Sequence, residues 1–266
     1  MIEIEAYYGL TGIPFDKSIK SDQIFLCAPA KELLSRLEYM KQHRGLMLIT
    51  GEPGTGKTTI LRAFVDGLSQ LSYQSFYVPL STVNILDFYR QLNYHLGGQP
   101  LYLKSTLFRS IQKAIKDFVT HTKKIPLIIF DEAHLFKNEN FFELQIITNF
   151  NMDSTDPAIF ILAAQPHLRD RLSRSILSSF HQRIQLKYHF LPLGKEEVEP
   201  YINHHLTIVG CQKSPFTQGA VEAIYKNTGG VPRLIGSLAL KTMTQGFLEK
   251  ADVLTQEHVF AATYEL

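Results

Sequence analysis

The residues of this chain most able to do chemistry form a glycine-rich octapeptide at 51–58, Gly-Glu-Pro-Gly-Thr-Gly-Lys-Thr. It follows the apolar run 46–49 and leads into a stretch that favours a helix, which is the context that the G-x-x-x-x-G-K-[ST] pattern requires. Glycines let backbone N–H groups surround a phosphate, and the helix start adds free N–H groups and the positive end of its dipole. The sequence therefore predicts a binding site for the phosphates of ATP. The residues expected to contact the nucleotide here are Gly51, Glu52, Pro53, Gly54, Thr55, Gly56, Lys57, Thr58 and Thr59.

A pair of acidic residues offers the second half of this chemistry. The apolar run 127–130 leads directly into Asp131 and Glu132. A carboxylate at the end of a buried parallel strand can hold Mg²⁺ through water, and the next one can orient and deprotonate an attacking water. We therefore expect Thr58 and Asp131 to hold Mg²⁺, and Lys57 and Glu132 to be catalytic. The pattern predicts an enzyme that hydrolyses ATP to ADP and phosphate.

Three further polar residues stand where strands or helices begin or end. Gln165 follows an apolar strand, where a polar side chain can sense the γ-phosphate. Arg183 precedes a strand, and Arg233 opens a helix after Gly-Gly-Val-Pro at 229–232. An arginine carries a permanent charge on a planar fork that suits phosphate oxygens. We expect Gln165 and Arg183 to be catalytic, with one arginine supplied by the same chain and another by a neighbouring copy.

Strands and helices alternate along the first part of the chain. Short apolar runs predict strands, and stretches with apolar residues at helical spacing separate them. The runs lie at 46–50, 75–80, 125–130, 158–163 and 184–190. This alternation predicts an α/β fold with a five-stranded parallel sheet and helices on both faces, one of them near 166–178. After residue 193 only helical stretches follow, so we expect an α/β nucleotide-binding domain over 1–193 and a small all-helical domain over 194–266.

Composition narrows the class of protein. Hydrophobic residues make up 45 % of the 266 residues, enough for a sizeable core. Two cysteines give no disulfide framework or zinc pattern, which suits a reducing compartment. No apolar run approaches the roughly 20 residues needed to span a bilayer, and the N-terminus lacks the features of a signal peptide. These features predict a bacterial cytoplasmic protein that does not enter a membrane.

The order of the motifs resembles that of the AAA+ ATPases along nearly the whole chain. Residues 51–58 resemble Walker A, and 127–132 resemble Walker B with its catalytic glutamate. Gln165 stands at the sensor 1 position, where Asn, Ser or Thr is commoner. Arg183 resembles the arginine finger of the clamp-loader and initiator branch, and Arg233 resembles the sensor 2 arginine of the helical lid. The resemblance implies ATP and Mg²⁺ as cofactors and self-association into a ring or helical filament.

The first 27 residues resemble the opening of the ExeA-like ATPases. The sequence Tyr-Tyr-Gly-Leu-Thr-Gly-Ile-Pro-Phe ends at Phe15. In that family this segment lies against the adenine, so the resemblance implies that Phe15 and its apolar neighbours form one wall of the base pocket. Packing under the edge of the sheet is the alternative for any one of these residues.

Members of this family differ in function, and the chain resembles two groups of them, the secretion-pathway ATPases and the regulators of DNA transposition. Secretion-pathway members carry a transmembrane helix and a wall-binding domain after the lid, and this chain ends at Leu266. We therefore expect a regulator of DNA transposition of the TnsC, Mu B and IstB kind. Such proteins bind double-stranded DNA as ATP-dependent oligomers, select a target site and recruit or stimulate a transposase, in some cases with a targeting factor. The resemblance implies sequence-independent contacts to the DNA backbone by Lys104, Ser105, Arg109 and Lys113.

Several alternatives remain open from the sequence. The net charge of +2 is too small to indicate nucleic-acid binding by itself, and the basic stretches 104–124 and 165–188 fit solvated helix faces equally well. The main alternative function is a secretion or assembly ATPase of the ExeA branch that acts on protein partners, and a signalling or defence switch is a third. Arg171 or Arg174 could replace Arg183 as the trans-acting finger.

Overall fold

The computed structural model describes residues 2–79, 84–211 and 213–263. Among these residues, five parallel strands form one sheet in the order β2-β3-β4-β1-β5. The strands are β1 (Gly45–Gly51), β2 (Tyr73–Pro79), β3 (Ile125–Asp131), β4 (Ile159–Ala164) and β5 (Ile184–Phe190). The expected α/β fold with a five-stranded parallel sheet is confirmed. The last residue of the predicted strand 75–80 lies outside the described residues.

Two helices of the first part of the chain precede β1, and the others lie between the strands. They are α1 (Ile2–Tyr7), α2 (Ala28–His43), α3 (Lys57–Asp66), α4 (Ile85–His95), α5 (Lys104–Thr120), α6 (Asn138–Ile147), α7 (His167–Leu172) and α8 (Ser178–Arg183). The helical C-terminal part contains α9 (Lys195–Ile208), α10 (Gln218–Thr228), α11 (Pro232–Leu248) and α12 (Gln256–Thr263). Short 3-10 turns lie at Ser21–Gln23, Ala133–Leu135 and Ser175–Leu177.

The sheet is buried on both faces along its three central strands. β1 and β4 are buried at every residue, and β3 at every residue after Ile125. One face forms a cluster with apolar residues of α4, α5 and α6, such as Phe88, Ile111 and Leu144. Further buried residues of α2 and α3 lie outside that cluster, as expected of a sheet covered by helices on both faces. The edge strands β2 and β5 are only partly buried.

The single helix predicted near 166–178 is wrong. α7 ends at Leu172, and Arg174 adopts an extended conformation, with φ −69° and ψ 147°. The chain then makes the 3-10 turn and starts again as α8 at Ser178. Two serines flank Arg174, and serine competes with the helix by bonding to nearby backbone groups. The restart gives Leu177 and Phe180 places in the core, where both are fully buried.

Two compact units account for the described residues. One contains the described residues of 32–51 and 60–190, with the sheet and most of its helices. The other contains those of 1–31, 52–59 and 191–266, so the loop after β1 belongs with the helical C-terminal part. The division into domains at 193/194 stays a prediction.

Candidate nucleotide-binding site

The loop 52–56 between β1 and α3, which we call the phosphate loop, turns on two glycines in the left-handed region. Gly54 has φ +81° and Gly56 has φ +103°, conformations that L side chains rarely adopt. The Thr55 hydroxyl donates to the carbonyl of Glu52 at 2.8 Å, and the Lys57 ammonium donates to the same carbonyl at 2.9 Å. A Cβ added at Gly56 would meet no atom within 4 Å. The backbone there is open to a ligand, and its chemistry fits a phosphate chain.

The first turn of α11 contacts the phosphate loop directly. The backbone N–H of Arg233 donates to the carbonyl of Gly54 at 3.2 Å. A Cβ at Gly54 would lie 2.9 Å from the Cβ of Arg233 and 3.3 Å from Cγ1 of Val231, so only glycine fits this approach. Pro232 occupies the first turn, where its missing N–H costs no helical hydrogen bond. The structure therefore brings the predicted Arg233 to the predicted loop.

The turn that leads into α11 is also held by the backbone. Gly230 has φ +78°, and a Cβ there would lie 2.1 Å from the carbonyl oxygen of Leu193. The N–H of Leu193 in turn donates to the carbonyl of Gly230 at 2.9 Å. The segment 229–233 is therefore held at two points, by Leu193 at Gly230 and by Gly54 at Arg233.

Phe15 packs on two helices of the C-terminal part. Its ring stacks on that of His205 of α9, with centroids 5.1 Å apart, and a Cβ at Gly236 of α11 would lie 2.8 Å from its Cβ. Phe15 itself has φ +63°, an unusual conformation for a bulky residue. Burial, and to a lesser extent the neighbouring His204, lower the pKa of His205 to about 4. The contact of Phe15 with adenine stays a prediction.

The acidic pair lies at the carboxyl end of β3. Asp131 is 6 % exposed, and its Oδ2 accepts a hydrogen bond of 3.0 Å from the hydroxyl of Tyr77 on β2. Its Oδ1 accepts one of 2.9 Å from the N–H of Glu132. Burial, followed by the charge of Asp131, raises the pKa of Tyr77 to about 12. Tyr77 therefore keeps its proton and donates it to the carboxylate near neutral pH.

Glu132 stands in the left-handed conformation, with φ 53° and ψ 33°, and its side chain is 59 % exposed. Its Oε2 lies 3.3 Å from Nδ1 of His134. The exposed carboxylate of Glu132 thus stands on a strained turn, next to the buried carboxylate of Asp131. This position suits it to contact a ligand bound at the edge of the sheet.

Gln165 follows β4 on the same edge of the sheet. In the parallel register, Thr50 of β1 pairs with Ala164 of β4, so Gln165 continues β4 beside the point where β1 enters the phosphate loop. The side chain of Gln165 is half-buried. Its position at the strand end matches the sequence, while its sensing role stays a prediction.

Comparison with known proteins defines the family. The AAA domain matches residues 40–172, which include the phosphate loop and the acidic pair. The chain belongs to the AAA domain family. General secretion pathway protein A of Aeromonas hydrophila is 26 % identical to this AAA protein over 264 residues, which are 98 % of the chain and 48 % of that protein. The chain thus spans about half the length of this curated relative.

Solved structures share the fold. ORC2 of Aeropyrum pernix has a TM-score of 0.68 at 16 % identity, over 94 % of this chain and 71 % of that one. Drosophila ORC bound to DNA has a TM-score of 0.68 at 14 % identity, over 98 % and 65 % of the two chains. The RuvB branch migration motor of Thermotoga maritima has a TM-score of 0.52 at 17 % identity, over 98 % and 73 %. These likenesses confirm the AAA fold. The predicted ATPase activity is supported by the AAA domain that matches residues 40–172.

The prediction that this AAA protein regulates DNA transposition is wrong. The curated relative that matches 98 % of the chain is a secretion-pathway protein. The phosphate loop and the acidic pair specify chemistry on a nucleotide, and that chemistry carries no information about the partner. The expectation was based on where the chain ends, and the position of the last residue does not determine function. The comparisons do not support a TnsC-like grouping.

The three candidate arginine fingers differ in the hydrogen bonds and ion pairs they form within their own chain. Arg183 is 18 % exposed, forms an ion pair of 2.5 Å with Asp153, and donates to the carbonyl of Gln145 at 3.2 Å. Arg171 donates to the carbonyls of His134 and Phe136, at 3.1 and 2.7 Å. The side chain of Arg174 is exposed. The catalytic role of Arg183 stays a prediction.

The four expected DNA contacts lie on α5. Lys104 forms an ion pair of 2.5 Å with Glu143 of α6, a carboxylate that is 7 % exposed. The hydroxyl of Tyr89 on α4 donates to the other oxygen of Glu143 at 2.8 Å. Lys113 pairs with an aspartate one turn along its own helix, while Ser105 and Arg109 are exposed. Lys104 thus has a structural partner, and DNA contact by these residues stays a prediction.

Sequence reasoning missed three residues that contact predicted site residues. Tyr77 reaches Asp131 because β2 pairs with β3, and no local pattern gives that pairing. The partnership of Glu143 with Tyr89 and Lys104 is likewise a product of helix packing. His134 had a signal, because it closes the tetrad Asp-Glu-Ala-His that begins at Asp131.

Within the described part of this AAA protein, no helix combines the length and hydropathy that a bilayer-spanning segment requires. The cytoplasmic location stays a prediction.

Proposed function

We propose that this chain is an ATPase that acts on protein partners in a secretion or assembly process. The observation that carries the proposal is the 26 % identity with General secretion pathway protein A over 98 % of the chain. Because the chain spans 48 % of that relative, the proposal concerns the ATPase part of such a system. Protein partners take the place of the transposase and targeting factor expected from the sequence.

In this proposal the phosphate loop holds the nucleotide. Its N–H groups and the Lys57 ammonium would bind the β- and γ-phosphates, and Arg233 would contact phosphate oxygens from the first turn of α11. Thr58 and Asp131 would hold Mg²⁺, which neutralises phosphate charge when bound. Phe15 would face the adenine.

Hydrolysis is assigned to the residues at the carboxyl ends of the strands. Glu132 would orient the attacking water and accept its proton, and Gln165 would sense the γ-phosphate. A guanidinium from an adjoining copy would stabilise the charge of the transition state. The exposure of Arg174 favours it for this task, since Arg183 and Arg171 are engaged within their own chain. Self-association in the presence of ATP is therefore part of the proposal.

The link from the phosphate loop to the helical part supports a role as a switch on proteins. Arg233 bonds to Gly54 through the backbone, and Gly236 on the same helix touches Phe15. Phe15 stacks in turn on His205 of α9. A bound nucleotide that changes the loop would thus act directly on two helices that a protein partner can contact.

The test is a chimera in which this chain replaces the matched part of the Aeromonas hydrophila relative. We expect the chimera to restore secretion in cells that lack the relative, and the same chimera with Lys57→Ala to fail at similar protein levels. Loss of the lysine should weaken nucleotide affinity by about 10- to 150-fold, as for one charge-assisted hydrogen bond. A chimera that accumulates and hydrolyses ATP but restores no secretion would contradict the proposal.

Double-stranded DNA is the competing partner, and ATPase rates separate the two. The relevant likeness, to Drosophila ORC bound to DNA, is one of fold at 14 % identity. We expect DNA to change the ATPase rate of the purified chain by less than about twofold at low salt, where phosphate contacts are strongest. Stimulation of tenfold or more that disappears with Arg109→Ala and Lys113→Ala would favour DNA instead.

A further inference from the structure

The tetrad that begins at Asp131 folds back on itself at the end of β3. Glu132 is left-handed, and its carbonyl accepts a hydrogen bond of 2.9 Å from the N–H of Leu135. This closes the 3-10 turn at Ala133–Leu135 and brings His134 back towards the side chain of Glu132. The separation of Nδ1 of His134 from Oε2 of Glu132 is 3.3 Å, an ion-pair distance rather than a well-directed hydrogen bond.

The two partners of this contact differ sharply in freedom. The side chain of His134 is 7 % exposed and that of Glu132 is 59 % exposed. The ring of His167 lies edge-on to the ring of His134, with centroids 5.0 Å apart. A buried ring is therefore in contact with an exposed carboxylate that has several rotamers available.

The backbone of His134 is fixed from a second helix. Arg171 of α7 donates to the carbonyl of His134 at 3.1 Å and to that of Phe136 at 2.7 Å. Its guanidinium also lies over the ring of Phe141, 5.2 Å from the centroid. Burial, followed by the charge of Arg174, lowers the pKa of Arg171, as expected for a guanidinium packed inside the protein. The imidazole is thus anchored through the main chain.

The two acidic residues are held by different partners. Asp131 is bound by Tyr77 from the neighbouring strand and by the N–H of Glu132. Glu132 has its contact with His134. Each carboxylate of the pair therefore has its own polar neighbour, and the one beside Glu132 is the imidazole of His134.

We propose that His134 is a positioning residue for hydrolysis, which holds the Glu132 carboxylate in the orientation it needs to act on the attacking water. The inference rests on the proposed role of Glu132 as the general base. A carboxylate that turns freely presents its lone pair to the water for only part of the time, so a fixed neighbour raises the fraction of productive encounters. Arg171 supports this arrangement by its hydrogen bond to the backbone carbonyl of His134.

The test compares three substitutions of His134 by steady-state kinetics. Asn can place its amide nitrogen near the position of Nδ1, while Gln places it near Nε2, and Phe fills the site without a donor. We expect His134→Phe and His134→Gln to lower kcat at least tenfold, but less than the roughly 10²- to 10⁴-fold loss of a whole general base. His134→Asn should stay within about threefold of the native kcat. Nucleotide affinity should be unchanged in all three.

Thermal melting of each variant separates folding from positioning. If His134→Phe does not fold, the comparison of Asn with Gln carries the test alone. Equal kcat for the Asn and Gln variants would overturn the proposal. A rise in kcat for the Gln or Phe variant would overturn it too, because the contact would then keep Glu132 from the orientation that hydrolysis needs. A loss confined to nucleotide affinity would overturn it as well.

A double-mutant cycle with Glu132→Gln distinguishes this inference from the proposed function. We expect Glu132→Gln to bind ATP but to hydrolyse it very slowly, and His134→Phe to cause no further loss in that background. A further tenfold loss there would mean that His134 acts through another group, and the positioning role would fail while Glu132 remained the base. Glu132→Gln with native kcat would instead refute the role of Glu132 and with it the inference.

Discussion

Substitution of one glycine before α11 should destabilise the protein far more than substitution of its neighbour. Gly229 and Gly230 both have positive φ, +57° and +78°, so an alanine at either position costs about 1–2 kcal/mol of backbone strain. A Cβ at Gly229 would meet no atom within 4 Å, whereas one at Gly230 would lie 2.1 Å from the carbonyl oxygen of Leu193. Carbon–oxygen contacts in proteins lie near 3.3–3.6 Å, so the backbone must move apart.

Such overpacking adds about 1–3 kcal/mol to the strain. We therefore expect the free energy of unfolding to fall by about 1–2 kcal/mol for Gly229→Ala and about 2–5 kcal/mol for Gly230→Ala. At roughly 2–4 °C per kcal/mol, the melting temperature of Gly230→Ala should lie about 2–12 °C below that of Gly229→Ala. Because Gly230 leads into Arg233 and the phosphate loop, Gly230→Ala should also weaken the binding of a fluorescent ATP analogue.

Differential scanning fluorimetry without nucleotide, followed by titration with the analogue, gives both quantities for both variants. Gly229→Ala is the matched control, since it carries the same side chain and a similar φ one residue away. Equal melting temperatures would refute the steric argument. Native affinity in a strongly destabilised Gly230→Ala would refute the link between this turn and the phosphate loop.

Two further predictions concern buried ionisable groups. Burial lowers the pKa of His205 to about 4, so the unfolded chain takes up a proton before the folded one as the pH falls, and up to roughly 3 kcal/mol of the stability present above about pH 6.5 is lost towards pH 4. His205→Leu should reduce this loss of stability in melting curves recorded between pH 7 and 4.5. An unchanged dependence of the melting temperature on pH would contradict the prediction. Lys104→Ala should lower the free energy of unfolding by about 1–3 kcal/mol, because it removes a partner from the buried Glu143. Lys113→Ala breaks an exposed ion pair and should lower the free energy of unfolding by less than about 1 kcal/mol. Urea titration of both variants measures the two losses, and equal losses would refute the stabilising role of Lys104.

The fold was largely predictable because its signals are local. All five strands were predicted, and the three central ones, β1, β3 and β4, stand out most because a central parallel strand is apolar on both faces. The break at Arg174 escaped the same reasoning. Leu168, Leu172 and Phe180 occur at spacings that a single helix can explain, and only packing in the core reveals that the chain turns between them.

The partner was not predictable from the same residues. The octapeptide at 51–58 and the pair at 131–132 are set by the chemistry of phosphate and water, which AAA proteins of different function share. The basic residues of α5 fitted DNA and a solvated helix equally well, and the structure gives Lys104 a buried carboxylate as partner. The relative that is similar over 98 % of the chain is a secretion-pathway protein.

The sequence by itself determined the nucleotide chemistry, because the residues of the glycine turn with its lysine, and those of the strand that ends in two carboxylates, are neighbours in the chain. Tertiary structure decided which groups surround that chemistry. Tyr77 reaches Asp131 only because β2 and β3 are neighbours, and Arg233 reaches Gly54 across 179 residues of chain only because both belong to one compact unit. Contacts between residues distant in the chain depend on strand order and helix packing, and these are properties of the whole fold that no local pattern contains.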